Sequence, residues 1–331
     1  MDNIARVFVG TDRSQMIGVK VLEYSIRKHS SIEVDVRPMV DLALPEPADP
    51  RHAQRTGFSF SRFAIPQLAG YRGKAVYLDA DMLVFKDFME LWAIPFDGAK
   101  VIIQEELPTE AQKSQKGGAP SKRIKQCSVM LLDCGRLNWD VNKLIADLGV
   151  RYSYEDLMYH LCILEPDEIA YRIPFAWNSL ERYEAGTTRL LHYTDMHMQP
   201  WVAPENPNGY LWIGYLKEML NLGLVTQADI EEEIALGHAR PSLALELAES
   251  AGSRPLTEVE VKGYKEHDTA ANFVRHKAVY DARRRHKQAI EDYERKLPTA
   301  PCPASVPPAA AVASKGMMPD WLGHILALIR G

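Results

Sequence analysis

Two aspartates, Asp79 and Asp81, stand two residues apart in the run Tyr77-Leu78-Asp79-Ala80-Asp81-Met82-Leu83-Val84. Like charges this close raise each other's pKa, and the apolar residues on both sides leave little room for a solvated turn. A divalent cation removes the repulsion. Carboxylate oxygens are hard ligands suited to magnesium or manganese, and such an ion can bridge the two phosphates of a nucleotide sugar. It would neutralise the charge that builds on a leaving diphosphate as a glycosidic bond breaks. The plain alternative, for an isolated acidic pair, is a loop that only faces water.

Five other groups carry chemistry. His192, in Leu190-Leu191-His192-Tyr193-Thr194 ahead of Gln199-Pro200-Trp201, reads either as a further metal ligand oriented through its other ring nitrogen or as a buried histidine satisfied by backbone. His197 competes with it. Glu155 and Asp156 read either as carboxylates facing a sugar, where Glu155 would stabilise an oxocarbenium-like transition state or act as a transient nucleophile, or as the cap of a helix over 157–164. Gln126 is either a site residue or a polar residue at a strand edge. Lys113, Lys116, Lys122, Arg123 and Lys125 punctuate a Gln-, Lys-, Ser- and Gly-rich loop over 108–125 that is either solvated or a lid over a diphosphate. The run Arg283-Arg284-Arg285-His286-Lys287 reads as a solvated helix face, or as a patch for phosphate or anionic lipid.

These residues need a scaffold. Residues 6–10 are a short apolar run ending in Gly-Thr-Asp, a buried strand entering a loop. Apolar residues at 17, 21, 22 and 26 predict a helix over 17–29. Strands are expected at 34–39, 74–78, 100–104 and 128–132, with a helix over 58–68 interrupted or started by Pro66. Strands alternating with helices imply a mostly parallel sheet covered on both faces, which binds ligands in loops beyond the carboxyl ends of its strands. After Trp201 the chain turns to charged helices. Thr226-Gln227-Ala228-Asp229 has the outline of a capping box, and residues 271–297 read as one long charged helix. Residues 298–316, rich in proline and alanine, read as a linker. Residues 317–331 read as an amphipathic tail with three docking options: a membrane surface, its own core domain, or a second copy of the chain.

Composition narrows the class. The chain has 331 residues, 46% apolar and 25% charged, ordinary values for a globular protein. A formal charge of −5 gives no case for a general nucleic-acid binder. The first residues lack the pattern of a secretory signal, and no run approaches the ~18 apolar residues of a spanning helix. Cys127, Cys134, Cys162 and Cys302 lack C-x-x-C spacing. A cytoplasmic protein, with peripheral contact at the inner face of the membrane as one option for its tail, is the expectation.

Over residues 4–202 the chain resembles the family-8 glycosyltransferases of the GT-A fold, the group that includes glycogenin, galactinol synthase and bacterial lipooligosaccharide galactosyltransferases. Phe60-Ser61-Arg62-Phe63 followed by Tyr77-Leu78-Asp79-Ala80-Asp81 resembles the family's pairing of a nucleotide-contacting arginine with its metal motif. His192 through Trp201 resembles the terminal motif in its longer spacing. The resemblance implies that Asp79, Asp81 and His192 bind manganese (or magnesium). It places Gly10, Thr11, Asp12 and Arg62 on the nucleotide, with Leu78, Ala80, Gln199 and Trp201 on the same side. The catalytic positions would be Glu155, Asp156 and Gln126.

There are three departures. Gln199 replaces a diphosphate-binding lysine, Gln126-Cys127-Ser128-Val129 replaces an acceptor-side N-[AS]-G-V, and Glu155 stands where the family has a glutamine. The expected fold is α/β, a GT-A (Rossmann-like) nucleotide-sugar-binding sheet over 1–215, followed by a helical extension over 216–297. The expected reaction moves a hexose from a nucleotide-diphosphate sugar, UDP-linked, to an acceptor hydroxyl, and the family implies retention of configuration. The alternatives are a non-catalytic nucleotide-sugar binder and a haloacid-dehalogenase-type phosphatase.

Overall fold

The computed structural model describes residues 4–105, 125–249 and 252–297. The chain divides into two compact units, Met1–Tyr293 and Glu294–Gly331, the second described only as far as residue 297. The linker at 298–316, the tail at 317–331 and all of the basic loop up to residue 124 lie outside the described residues.

The central sheet contains β1 (Ile4–Gly10), β2 (Glu33–Met39), β3 (Lys74–Asp79), β5 (Val101–Gln104), β6 (Val129–Asp133) and β7 (Ile169–Ile173), in the order β2-β1-β3-β6-β5-β7. Pairing is parallel between β1 and β2, β1 and β3, and β5 and β7; β6 runs antiparallel to both its neighbours. Alternation along the strands sorts side chains onto two faces. Phe8 and Tyr77 pack with Phe60, Phe63 and Trp139 on one face; Val7, Val9, Val76 and Leu78 pack with Leu22 and Ile26 on the other. Leu22 and Ile26 belong to α1 (Met16–His29), the helix whose spacing predicted it.

The parallel register of β1 and β3 sets Gly10 opposite Asp79, so the loops after the two strands lie side by side at one edge of the sheet. A second, small sheet adds the other half of the site. Its strands are β4 (Met82–Val84), β8 (Ser179–Leu180) and β9 (Leu190–His192), ordered β4-β9-β8. Antiparallel pairing of Met82 with His192 brings the histidine beside the acidic pair.

Short helices are α2 (Ile65–Leu68), α3 (Met89–Trp92), α4 (Val141–Ala146) and α5 (Tyr154–His160). The helix expected over 58–68 is instead a 3-10 turn over Ser61–Ala64 followed by α2. Pro66, near the first position of α2, has no N–H to bond back into the preceding turn, so the α-helical ladder starts there. The helical half comprises α6 (Gly209–Asn221), α7 (Gln227–Ala235), α8 (Ser242–Glu249), α9 (Glu258–Ala270) and α10 (Lys277–Lys296). The predicted capping box forms at α7: Thr226 N–H donates to Asp229 Oδ2 at 2.8 Å, and Asp229 N–H donates to Thr226 Oγ1 at 3.2 Å. The single helix expected over 271–297 begins only at Lys277. Asn272 and His276 take left-handed φ values of 56° and 49°, which break the helical ladder between α9 and α10.

Trp212, Ile213 and Leu216 of α6 share a core with Ile17 and Val21 of α1, Leu83 of β4, Leu191 of β9, and Trp201. No helix of the described residues is long and apolar enough to cross a membrane.

Candidate active site

Asp79 ends β3 and Asp81 immediately precedes β4, so both carboxylates are delivered by strands whose side chains are mostly core. Ligand atoms of Asp79, Asp81 and His192 all lie within 4.8 Å of one another. His192 Nε2 stands 3.1 Å from Asp81 Oδ1 and 3.9 Å from Asp79 Oδ2. The other ring nitrogen, Nδ1, lies 2.9 Å from Asn178 Oδ1, and the Asn178 amide donates to Gln104 Oε1 at 2.8 Å. An Nδ1–H donated to Asn178 leaves the Nε2 lone pair toward the carboxylates. Burial disfavours the charged ring, but Asp81 first and then Asp79 outweigh it and raise the His192 pKa.

The donor set fits a divalent cation. Two carboxylates and an imidazole converge, with Arg62 set against Asp79 Oδ1 and the His192 ring as the neighbour of the buried Asp81 Oδ1.

Each aspartate has its own support. Tyr77 donates its hydroxyl to Asp79 Oδ1 at 2.5 Å and accepts from Arg62 Nη2 at 3.0 Å. Burial pushes the Tyr77 pKa well up, so the hydroxyl keeps its proton and its role as donor. There is room for it because Gly10 has no side chain: a Cβ there would stand 2.3 Å from the Tyr77 hydroxyl. Arg62, expected on the nucleotide, lies behind Asp79. Its guanidinium lies 3.7 Å from Asp79 Oδ1, donates to Cys127 O at 2.7 Å and to Ser59 O at 3.2 Å, and stacks over the Tyr77 ring. Burial would lower the Arg62 pKa, yet Tyr77 and Asp79 beside it raise it overall, so it is a fixed positive charge.

Gln199 is also turned inward. Its amide donates to Asp81 Oδ2 at 2.8 Å and to Tyr193 O at 3.3 Å, and the residue is 1% exposed. Asp81 is held from the backbone as well, its carbonyl accepting from Tyr193 N–H at 2.8 Å.

The remaining expected residues separate into two groups. Thr11 and Asp12 follow β1; Asp12 Oδ1 accepts from Ser14 N–H at 2.8 Å and caps the next turn. Asp12 also lines a cleft of about 1000 Å³ together with Ser14, Arg55, Gly57, His238 and part of α10. Leu78, Ala80 and Trp201, expected on the nucleotide, are core: each is at most 1% exposed, and Trp201 packs on Trp212 with ring centres 5.6 Å apart. The Ala80 carbonyl faces α1, 3.1 Å from where a Cβ on Gly18 would sit.

On the expected sugar side, Asp156 takes its capping alternative. Ser153 N–H donates to Asp156 Oδ2 at 2.9 Å at the start of α5, and that backbone hydrogen bond lowers the Asp156 pKa. The carboxylate thus holds the start of the helix. Glu155 is ion-paired to Arg55 on the cleft wall. Gln126 is partly buried just ahead of β6. His197 is outside the cluster, stacked on Tyr280. Of the basic loop only Lys125 is described, and its ammonium donates to His160 O at 2.5 Å.

Sequence reading missed Asn178 and Gln104. Neither lies in a recognisable motif, so nothing in the linear pattern marks them; Tyr77 stood inside the quoted run, but its hydroxyl contact did not.

Residues 47–131 match the family model described as Glycosyl transferase family 8. A curated relative, Protein CDI of Arabidopsis thaliana, is 31% identical over 229 residues, covering 64% of this chain and 86% of the relative. The chain belongs to glycosyl transferase family 8. Like its family, it is a glycosyltransferase, and the α/β sheet of GT-A type expected from the resemblance is the one observed.

Among solved structures, the apo bifunctional glycosyltransferase WbbM is 14% identical with a TM-score of 0.45, over 70% of this chain and 51% of that one. Apo GlyE of Streptococcus pneumoniae TIGR4 is 15% identical with a TM-score of 0.44, over 72% and 64%. The galactosyltransferase LgtC, in complex with donor and acceptor sugar analogs, is 13% identical with a TM-score of 0.41, over 78% and 99%. This family-8 chain thus spans about half the length of WbbM and less than two thirds of GlyE.

Proposed function

We propose that this family-8 enzyme moves a hexose from a UDP-sugar to an acceptor hydroxyl, with manganese or magnesium held by Asp79, Asp81 and His192, and with retention of configuration. The observation that carries the reading is the convergence of those three side chains at the loop edge of β1 and β3, with Asp81 Oδ1 buried against the His192 ring. A bound divalent ion would supply charge neutralisation at the departing diphosphate.

The chain's own residues prepare that geometry. Tyr77 and Arg62 fix Asp79, Gln199 fixes Asp81, and Gln104 through Asn178 fixes the ring of His192. Such pre-organisation means that little reorientation is needed as charge develops. In the transfer, the bond between the sugar's anomeric carbon and the diphosphate oxygen breaks with its electron pair leaving on the diphosphate. The acceptor oxygen bonds to that carbon as its proton passes to the leaving diphosphate. The nucleoside lies along Asp12 in the adjoining cleft, and Glu155 and Gln126 stand on the sugar and acceptor side of this reading.

Calorimetric titration with a panel of nucleoside diphosphates, with manganese and with chelator, is the direct test. UDP should bind best, and only with the metal. Release of free UDP from a UDP-hexose panel identifies the donor. Equal binding of every nucleoside diphosphate in chelator would refute the reading.

A further inference from the structure

One wall of the cleft beside Asp12 is the late helix α10. Ala278, Val279, Ala282, Arg283, Arg285 and His286 all line it. Positions 279, 282, 283 and 286 fall on one helical face, and the alanines let the helix backbone come close while the basic side chains reach past them. The helix is fastened at both ends of the cleft. At its start, Arg275 grips Glu205 through two bonds of 2.7 and 2.8 Å and donates to His197 O at 2.7 Å. Tyr280 stacks on His197, and Arg283 Nη2 lies 3.4 Å from Met196 Sδ. Met196 and His197 belong to the segment between His192 and Gln199, so the start of α10 is tied to the metal-site segment. Near its other end, the Tyr293 ring lies 5.5 Å from the guanidinium of Arg51.

The charges on this helix are not equivalent. Arg284 pairs with Asp281 and Lys287 with Glu291 along the helix itself. Arg285 and His286, on the cleft, have no ion pair or hydrogen bond among the described residues, and Arg283 has only the thioether and the Tyr280 ring. His276, which leads into α10, is 4% exposed, and its Nε2 has no partner among the described residues. Gln199 meanwhile brings no positive charge to the site and is turned to Asp81.

We propose that α10 is part of the donor site: Arg283, Arg285 and His286 bind the diphosphate of a nucleoside diphosphate lying in the cleft, supplying the positive charge that Gln199 lacks. The guanidinium fork of each arginine matches phosphate oxygens, the imidazole adds an N–H donor, and neither Arg283 nor Arg285 has an ion-pair partner among the described residues, although Asp12, Asp41 and Glu46 line the same cleft. This assignment rests on the donor reading above.

The test is calorimetric titration of the full chain and of the triple variant R283Q/R285Q/H286Q, each with UDP and with uridine in saturating manganese. Glutamine keeps helix propensity, and melting temperature checks folding. UDP affinity should fall about tenfold or more in the variant, the scale of a lost charge-assisted phosphate contact, while uridine affinity stays within about threefold. Unchanged UDP affinity overturns the assignment. So does an equal loss for UDP and uridine, which would make α10 a mere support for the cleft. If the triple variant fails to fold, R283Q and the exposed R285Q are read singly, and unchanged UDP affinity in both is the same negative answer. Wild type that binds no nucleoside diphosphate at all would instead sink the donor reading itself.

Discussion

Asp79 is held by a phenol and a guanidinium, Asp81 by a neutral amide, and His192 by an asparagine. Asp81→Asn keeps the shape and removes the charge. We expect a melting temperature near wild type and loss of nearly all metal-dependent turnover; full turnover persisting in chelator would contradict the metal reading. Gln199→Lys tests the inward amide. An ammonium against Asp81 Oδ2 would compete with the cation, so manganese affinity should drop by about tenfold or more, measured by calorimetry. If this substitution instead tightened UDP without weakening manganese, position 199 would be facing the diphosphate. Asn178→Ala leaves Nδ1 of His192 without its acceptor, and should lower manganese affinity roughly 10- to 100-fold. Unaltered affinity would remove His192 from the ligand set.

At the scale of the elements, caps and close approaches decide where side chains point. The α7 box shows the energetics most simply. Hydrogen bonds from the Thr226 side chain and backbone, with Lys20 nearby, hold the Asp229 carboxyl down at about 2, against an ordinary value of 3.8. A depressed native pKa means stability that is present above the unfolded value and lost as pH falls through the native one. The stability gap between wild type and Asp229→Asn should therefore hold at neutral pH and close between about pH 4 and pH 2. Because the group is close to the surface, the gap at pH 7 should be no more than about 1 kcal/mol by urea denaturation. A gap that widens on acidification would reverse the sign and exclude this account.

For the whole molecule, the helical half is what fastens the segment carrying Gln199. Arg240, 1% exposed, donates through its backbone to Trp201 O at 2.8 Å and through Nε to Pro200 O at 3.1 Å. It is ion-paired to Glu246 of α8 and bonded to Ser242, which in turn bonds both oxygens of Asp268 in α9. Removing one member of a buried ion pair leaves the other uncompensated. Arg240→Ala should cost about 3 kcal/mol in chemical denaturation and also weaken manganese binding, because Gln199 loses its neighbours' support. Destabilisation with manganese affinity intact would separate the helical half from the site.

The acidic pair, the strands that deliver it, α1 and the α7 cap were legible in the linear order, because each depends on local periodicity, β-rich runs or a four-residue box. The family was legible too, from motifs kept in their order. The partnership of His192 with Asp81 spans more than a hundred residues and depends on β4 pairing with β9, which no local signal encodes. The same is true of the inward turn of Arg62 and Gln199: both are polar residues in family motifs, and only packing shows that each meets a carboxylate of the protein itself. Trp201 and Leu78 kept their motif places yet are core, since a motif conveys residue order and not which face is buried. The basic run of α10 had two readings from sequence. Its place along the cleft was decided by the left-handed break at Asn272 and His276, together with the contacts that tie the helix to Glu205, His197 and Arg51. Those contacts are long-range, and they exist only once the helical half has folded against the sheet.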